Sequence, residues 1–393
     1  MRVFILAGEP SGDFLGACLA SAMRTLVPDV VITGVGGVRM REAGVALVKE
    51  SDHWGAIGIP EALRKAPALF AHGSQLAALL RAEPPDVLVL IDFGAFNVRF
   101  LNMLHAHGWP AGMRAVYFVP PGCWARNRAA GRLPFLVDAI ATPFPWSAVT
   151  LRTADAPARI VWVGHPVLDA CGVRRDRAAM RGELGVTPDA PVLLLVPGSR
   201  RAELRYLLPT FLQTVRRLTP RPTCLITVAP SLGEARLRRV LPDDLTIRLL
   251  HGIDYDYAQV ADAALVTSGT ATLEVACLGV PMVVAYKGSW GVNLQVRVLQ
   301  ALKRAPKYFS LPNIIADAPV VPEFFQKAAT PTALAAALAP LLIDTPARRA
   351  QCDAFTAIRH SLGDGQAILR TAALVCEVAG VSPALPIPAA LPE

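Results

Sequence analysis

At 393 residues, 53% hydrophobic and 18% charged, the chain carries apolar material for two substantial cores, so two domains are expected. Its net charge of +8 is scattered through helical stretches such as 236–239, with no basic tail and no interleaving of aromatic and basic residues; this argues against nucleic acid and suits phosphate-bearing substrates, an anionic membrane surface or a plain solvated exterior. Seven cysteines show neither CxxC nor metal-ligand spacing and read as small hydrophobes in a reducing compartment.

No uncharged apolar run reaches the length of a membrane span, and the short N-terminal apolar stretch, followed at once by Glu9 and Asp13, does not read as a signal peptide. A cytoplasmic protein, at most peripherally bound to a membrane, is expected. Val3 to Leu6 reads as a first strand, and AGEPSGD at 7–13 as a polar glycine loop before a helix that starts near Phe14. Strand, glycine loop and helix open a doubly wound α/β domain. The loop departs from the dinucleotide fingerprint GxGxxG, and no acidic residue of the second strand is placed for a ribose, which disfavours a nicotinamide cofactor. The second strand, Val30 to Ile32, meets Gly34-Val35-Gly36-Gly37, either a close approach to a ligand or a tight turn that needs small residues.

After Pro84-Pro85, a fully apolar strand over 87–91 ends on Asp92. The carboxyl end of such a strand faces the ligand crevice of a parallel sheet. Asp92 is therefore a candidate general base for a hydroxyl, with helix capping as the competing reading, while His105 and His107 read as surface or packing. Tyr117 to Val119 reads as the next strand and Pro120-Pro121-Gly122-Cys123-Trp124 as its loop. Val137 to Ala141 and Ile160 to Val163 close this half, and Gly164-His165-Pro166 either presents an imidazole or forms a quiet hinge. The stretch 171–191, rich in Arg, Asp, Gly and Pro, is expected to be a linker.

Val192 to Val196 is an unbroken apolar run, the pattern of a parallel strand covered on both faces. Pro197 stops it, Gly198 lets the backbone turn closely, Ser199 can cap the next helix, and Arg200 brings a guanidinium that forks onto a diphosphate. A purely structural strand-to-helix turn accounts for the same residues equally well. Strands at 223–228, 246–249, 263–267 and 282–286 continue the rhythm. After Thr267, Ser268-Gly269-Thr270 offers amides and hydroxyls at another helix start, and Glu274 lies one turn on, where a carboxylate can accept both hydroxyls of a ribose. A capping box at Thr270 would want its carboxylate three residues on rather than four, which favours the ligand.

In this order the motifs resemble the lipid-A-disaccharide synthase family. The resemblance runs from Ala7 to about Gln326 and rests on AGEPSGD with Leu15-Gly16-Ala17, GVGG with Arg39-Met40, IGIPE at 57–61, Asp92 with Phe96-Asn97, and GHP. It continues through PGSR with Glu203, SGTATLE at 268–274, PMVV at 281–284, SLPN at 310–313, and Pro322-Glu323 with Gln326. It implies an α/β glycosyltransferase of the GT-B type, two Rossmann-like lobes facing across a cleft: residues 1–170 for the acceptor and 192–378 for the UDP-sugar donor, with 379–393 a frayed tail.

The implied reaction moves 2,3-diacylglucosamine from its UDP carrier (UDP-diacylglucosamine) to 2,3-diacylglucosamine 1-phosphate, inverting the anomeric carbon to form a β-1,6 disaccharide and releasing UDP, with no metal and no cofactor. The resemblance implies Gly198, Ser199, Arg200 and Ser268, Gly269 and Thr270 on the diphosphate, Glu274 on the ribose and Asn313 near the donor. It implies Asp92 as base, with Glu9, Ser11 and Asp13 beside it. Two departures fall in the acceptor half: Ala95 stands where the family carries a second Asp, and Val119 to Arg126 replaces a Ser-Pro-Ser-Val-Trp-Ala-Trp-Arg loop. A UDP-sugar transferase or epimerase with another acceptor, or a non-catalytic UDP-sugar binder, therefore stay open. The stretches 54–80 and 294–308 mix apolar with basic residues, as core helices do and as a contact with the inner-membrane surface would. No nucleic-acid partner is expected, and a homodimer is left open.

Overall fold

The computed structural model describes residues 1–51, 54, 58–126, 131–153, 155–187, 189–228, 234–251, 254–288 and 307–383. The chain forms two units: Met1–Asp169 with Leu362–Glu393, and Ala170–Ser361.

The first unit is built on seven parallel strands: β1 (Arg2–Ala7), β2 (Val31–Gly36), β3 (Ala46–Glu50), β4 (Val87–Ile91), β5 (Arg114–Phe118), β6 (Ala139–Thr142) and β7 (Arg159–Trp162). Their spatial order is β3-β2-β1-β4-β5-β6-β7, so the winding reverses between β1 and β4. All five residues of β4 are buried, as an apolar run covered on both faces must be. One face packs against the helices Pro10–Leu26 and Ala367–Val378 through Leu19, Met23, Ala372 and Val375; the other carries Leu76, Leu80, Phe96 and Phe100. The first helix begins at Pro10 rather than near Phe14, because proline's fixed φ suits the first helical position and its missing N–H loses nothing there.

The second unit holds six parallel strands: β8 (Val192–Val196), β9 (Thr223–Val228), β10 (Ile247–His251), β11 (Ala263–Thr267), β12 (Met282–Tyr286) and β13 (Glu323–Phe325). The order β10-β9-β8-β11-β12-β13 reverses between β8 and β11. In open α/β sheets ligands bind outside the carboxyl ends of the strands at such a reversal. The loops after β1 and β4, and those after β8 and β11, occupy that position in their respective units.

Two boundaries differ from the sequence expectation. The stretch 171–191 is not a free linker: Asp176 caps a helix at Arg177–Glu183 by accepting from Ala179 N at 3.0 Å, and Arg177 and Arg181 both pair with Asp262 of the second unit. The second lobe also ends before 378. The helix Ala367–Val378 belongs to the first unit, where its small buried residues Ala367, Ala372 and Ala373 allow close packing. Asp169 fastens its start by accepting from Ala367 N and Ile368 N at 3.1 and 3.0 Å. Of the expected tail, 384–393 lies outside the described residues, as do 294–306 of the amphipathic stretch and Ile57 of IGIPE. Among the described residues no helix is long and apolar enough to cross a membrane.

Candidate active site

In the first unit the chain leaves β4 by an unusual route. Asp92 and Phe93 both have φ 44, in the left-handed region that non-glycine residues seldom enter. Asp92 N still donates to Phe118 O at 3.0 Å, the last rung of the ladder, while its carbonyl accepts from the Tyr117 hydroxyl at 2.6 Å and from Asn97 Nδ2 at 2.9 Å. Space around this turn is tight. A Cβ on Gly8 would overlap the Phe93 ring, and one on Gly94 would overlap Pro121.

The Asp92 carboxyl is held well above the ordinary carboxylate range, at about 6. Burial is the main cause, and the Glu9 carboxylate adds to it, against the Phe93 N–H. Glu9 caps the helix Pro10–Leu26 in an extended conformation, and Ser11, half-buried, lies in that helix's first turn. Asp92 and Glu9 thus sit on neighbouring loops at the β1/β4 reversal, with Ser11 in the helical turn that follows Glu9. Asp13, expected beside them, serves the fold instead. It is 7% exposed, and its carboxylate accepts from Gly37 N at 2.6 Å, Arg39 N at 3.0 Å and Met40 N at 3.1 Å. The carboxylate caps the helix Val38–Glu42, so the GVGG stretch is neither a loop nor a free turn: Gly34 to Gly36 continue β2, and only Gly37 turns the chain into that helix, with Gly36 pressed against Met40.

His165 takes the quiet alternative. Its backbone N donates to Leu362 O at 2.8 Å, its Nδ1 accepts from Val167 N at 3.1 Å, and burial pushes its pKa down to about 3, which keeps the ring neutral. The rebuilt loop after β5 is anchored by Trp146, which donates to Cys123 O at 3.1 Å, stacks on Phe144 and lies under the Arg126 guanidinium. Beside it is a cavity of about 160 Å³ lined by Val98, Pro121, Cys123, Leu133, Ser147 and Leu151.

In the second unit, the loop after β8 already holds an anion. Glu203 is 6% exposed; its Oε2 accepts from Ser199 N at 3.0 Å and Arg200 N at 3.2 Å, and its Oε1 from an Arg200 guanidinium N–H at 3.2 Å. The two amides that the sequence offered to a phosphate are therefore taken by the protein's own carboxylate, a correction to that expectation. Gly198, at φ 112, is required here because any Cβ would overlap Glu203. Arg200 itself remains 43% exposed, anchored on one side by Glu203. Tyr286 is close enough to feel both charges, its pKa raised by burial first and Glu203 second. The neighbouring Lys287, which sequence reasoning missed, donates to Thr210 Oγ1 at 2.8 Å, and burial lowers its pKa. Nothing in a periodic strand pattern marks the lysine that follows β12.

The loop after β11 is more open. Gly269 and Thr270 are exposed, Ser268 Oγ donates to Phe309 O at 2.7 Å, and Glu274 is half-buried on the short helix Ala271–Cys277. Asn313 does not reach this surface. It is 1% exposed and bonds both ways to Val321, Nδ2 to its O at 2.9 Å and Oδ1 from its N at 2.8 Å. With Glu323, which accepts from Phe309 N and Ser310 N, it fastens the 309–323 segment behind the loop.

The architecture and the motifs have counterparts. A family model described as lipid-A-disaccharide synthetase matches residues 3–374. The lipid-A-disaccharide synthase of Pseudomonas aeruginosa strain LESB58 is 37% identical over 368 residues, covering 92% of this chain and 94% of that one. The fold is shared with two kinds of solved enzyme. A UDP-GlcNAc 2-epimerase of Methanocaldococcus jannaschii, in complex with UDP-GlcNAc and UDP, superposes with a TM-score of 0.58 at 12% identity, covering 96% of this chain and 100% of that one. A calicheamicin glycosyltransferase gives 0.56 at 16% identity, covering 97% and 98%.

Proposed function

The chain belongs to the lipid-A-disaccharide synthase family, and from that premise we propose how its residues share out the reaction. It is a glycosyltransferase that forms the lipid A disaccharide from a UDP-sugar and a lipid acceptor. The donor is UDP-2,3-diacylglucosamine and the acceptor 2,3-diacylglucosamine 1-phosphate. Asp92 takes the proton of the acceptor's 6-hydroxyl, the oxygen's electron pair attacks the anomeric carbon, and the bond to UDP breaks on the opposite face. The product is inverted, the proton resides on Asp92, and the departing diphosphate carries the new negative charge. Arg200 and the loop Ser268-Gly269-Thr270 receive that charge, and Glu274 accepts from the ribose hydroxyls. Glu9 and Ser11 contact the acceptor sugar.

The observation that carries this reading is the Asp92 carboxyl, at the strand reversal of the first unit and raised to about 6. A base whose proton affinity lies just below the working pH is still ionised yet takes a proton far more readily than an ordinary aspartate. Because the substrates carry acyl chains, we propose that the enzyme works in the cytoplasm on the inner-membrane surface; Phe70, 70% exposed on the helix Gly58–Ala82 that also bears Arg64 and Lys65, supports this. The test is mass spectrometry of a reaction containing both acylated sugars in detergent, followed by assignment of the product's anomeric configuration. A β-linked disaccharide with stoichiometric UDP is expected. UDP release without a disaccharide, or an α linkage, refutes the scheme.

A further inference from the structure

We propose that Tyr117 and Asn97 are positioning residues that hold Asp92 in its left-handed backbone conformation and so aim its carboxylate, a role that rests on Asp92 being the base. Two successive non-glycine residues at φ 44 do not stay there unaided. The turn follows the last rung of β4, so the Asp92 carbonyl has left the sheet and needs donors from elsewhere. Both donors are side chains with no exposed surface. Tyr117 comes from β5, where it pairs in register with Leu90, and its hydroxyl meets the Asp92 carbonyl at 2.6 Å. Asn97 comes from the helix Gly94–Ala106 and reaches back one turn, its Nδ2 bridging Asp92 O at 2.9 Å and Ile91 O at 3.3 Å, while its own N–H donates to Phe93 O at 3.0 Å.

The Tyr117 ring belongs to an apolar cluster that includes Leu88, Leu90, Leu101 and Ile140. Phenylalanine would fill the same volume and bury no hydroxyl. The polar atom is there for the carbonyl it binds. A hydrogen bond in so dry a place is stronger than one in water, and losing it leaves the carbonyl without one of its two side-chain donors. Among the described residues, Glu9 from the loop after β1 acts on Asp92, Asp92 and Cys123 act on Tyr117, and Asn97 is uncharged. Relaxation of the backbone would carry the Asp92 carboxylate out of its buried place beside Glu9, and its proton affinity would fall.

The test is kcat/KM against pH for the wild-type enzyme, Tyr117→Phe, Asn97→Ala and Asp92→Asn. For Tyr117→Phe and Asn97→Ala, kcat should drop about tenfold, equivalent to one lost hydrogen bond's worth of alignment, with the donor KM unchanged and the acid limb moved below the wild-type limb near 6. A merely structural role would lower the folded fraction and leave that limb in place. If both folded variants keep the wild-type kcat and acid limb while Asp92→Asn is inactive, the positioning role is overturned and the base assignment survives. If Asp92→Asn retains activity, the base assignment itself fails. Asn97→Ala tests the same brace from the other donor should Tyr117→Phe fold poorly.

Discussion

Asparagine in place of Asp92 should give an inactive enzyme that is more stable at neutral pH. Asparagine accepts left-handed backbone as readily as aspartate, so Asp92→Asn keeps the turn at φ 44. What it removes is a carboxyl whose pKa the fold raises from 3.8 to about 6, by burial first and Glu9 second. The folded value lies above the unfolded one, so the penalty is absent below pH 3.8, where both states hold the proton; it grows between 3.8 and 6 and is complete above. At 1.36 kcal/mol per pKa unit the full effect is roughly 3 kcal/mol, and the residue's partial exposure brings it to on the order of 1–2 kcal/mol. Denaturant unfolding of both proteins near neutral pH and at about pH 4 measures it. The variant should gain that stability at neutral pH and lose most of the gain in acid. A variant less stable at neutral pH, or a gain that does not change with pH, refutes the account of Asp92.

Three further outcomes follow from the same geometry. Glu9→Gln should lower the acid limb of kcat/KM from near 6, but not as far as 3.8, because burial is the larger cause of the raised value; a limb that stays or rises contradicts the pairing of the two carboxyls. Asp13→Ala should destabilise the protein by about 2 kcal/mol through the lost cap and stranded amides while leaving the KM of both substrates unchanged, and a selective KM effect would return Asp13 to the binding surface. Flotation with anionic vesicles should succeed at low salt and weaken as salt rises, whereas absence of binding at any salt removes the membrane-surface proposal.

The parallel strands were legible because β4 and β8 are unbroken apolar runs, a pattern that only burial on both faces produces. From such strands follow their carboxyl ends, and with them the positions of Asp92, Arg200 and the 268–270 loop. What a polar side chain binds was not legible. Asp13, Glu203 and Asn313 have partners 24 residues, 3–4 residues and 8 residues away, and whether each faces a ligand or the backbone depends on tertiary placement. Chain proximity points the last helix to the second unit, while its buried alanines fit the first. In sequence Tyr117 is one more strand residue, since a run of buried residues does not distinguish a ring that fills space from one that also carries a donor.

The most direct measurement is the position of UDP in crystals of the enzyme soaked with the nucleotide. The diphosphate should lie against Arg200 and residues 268–270, with the ribose hydroxyls on Glu274. A nucleotide bound elsewhere in the second unit, or on the first unit beside Asp92, would contradict the division of donor and base on which the mechanism rests.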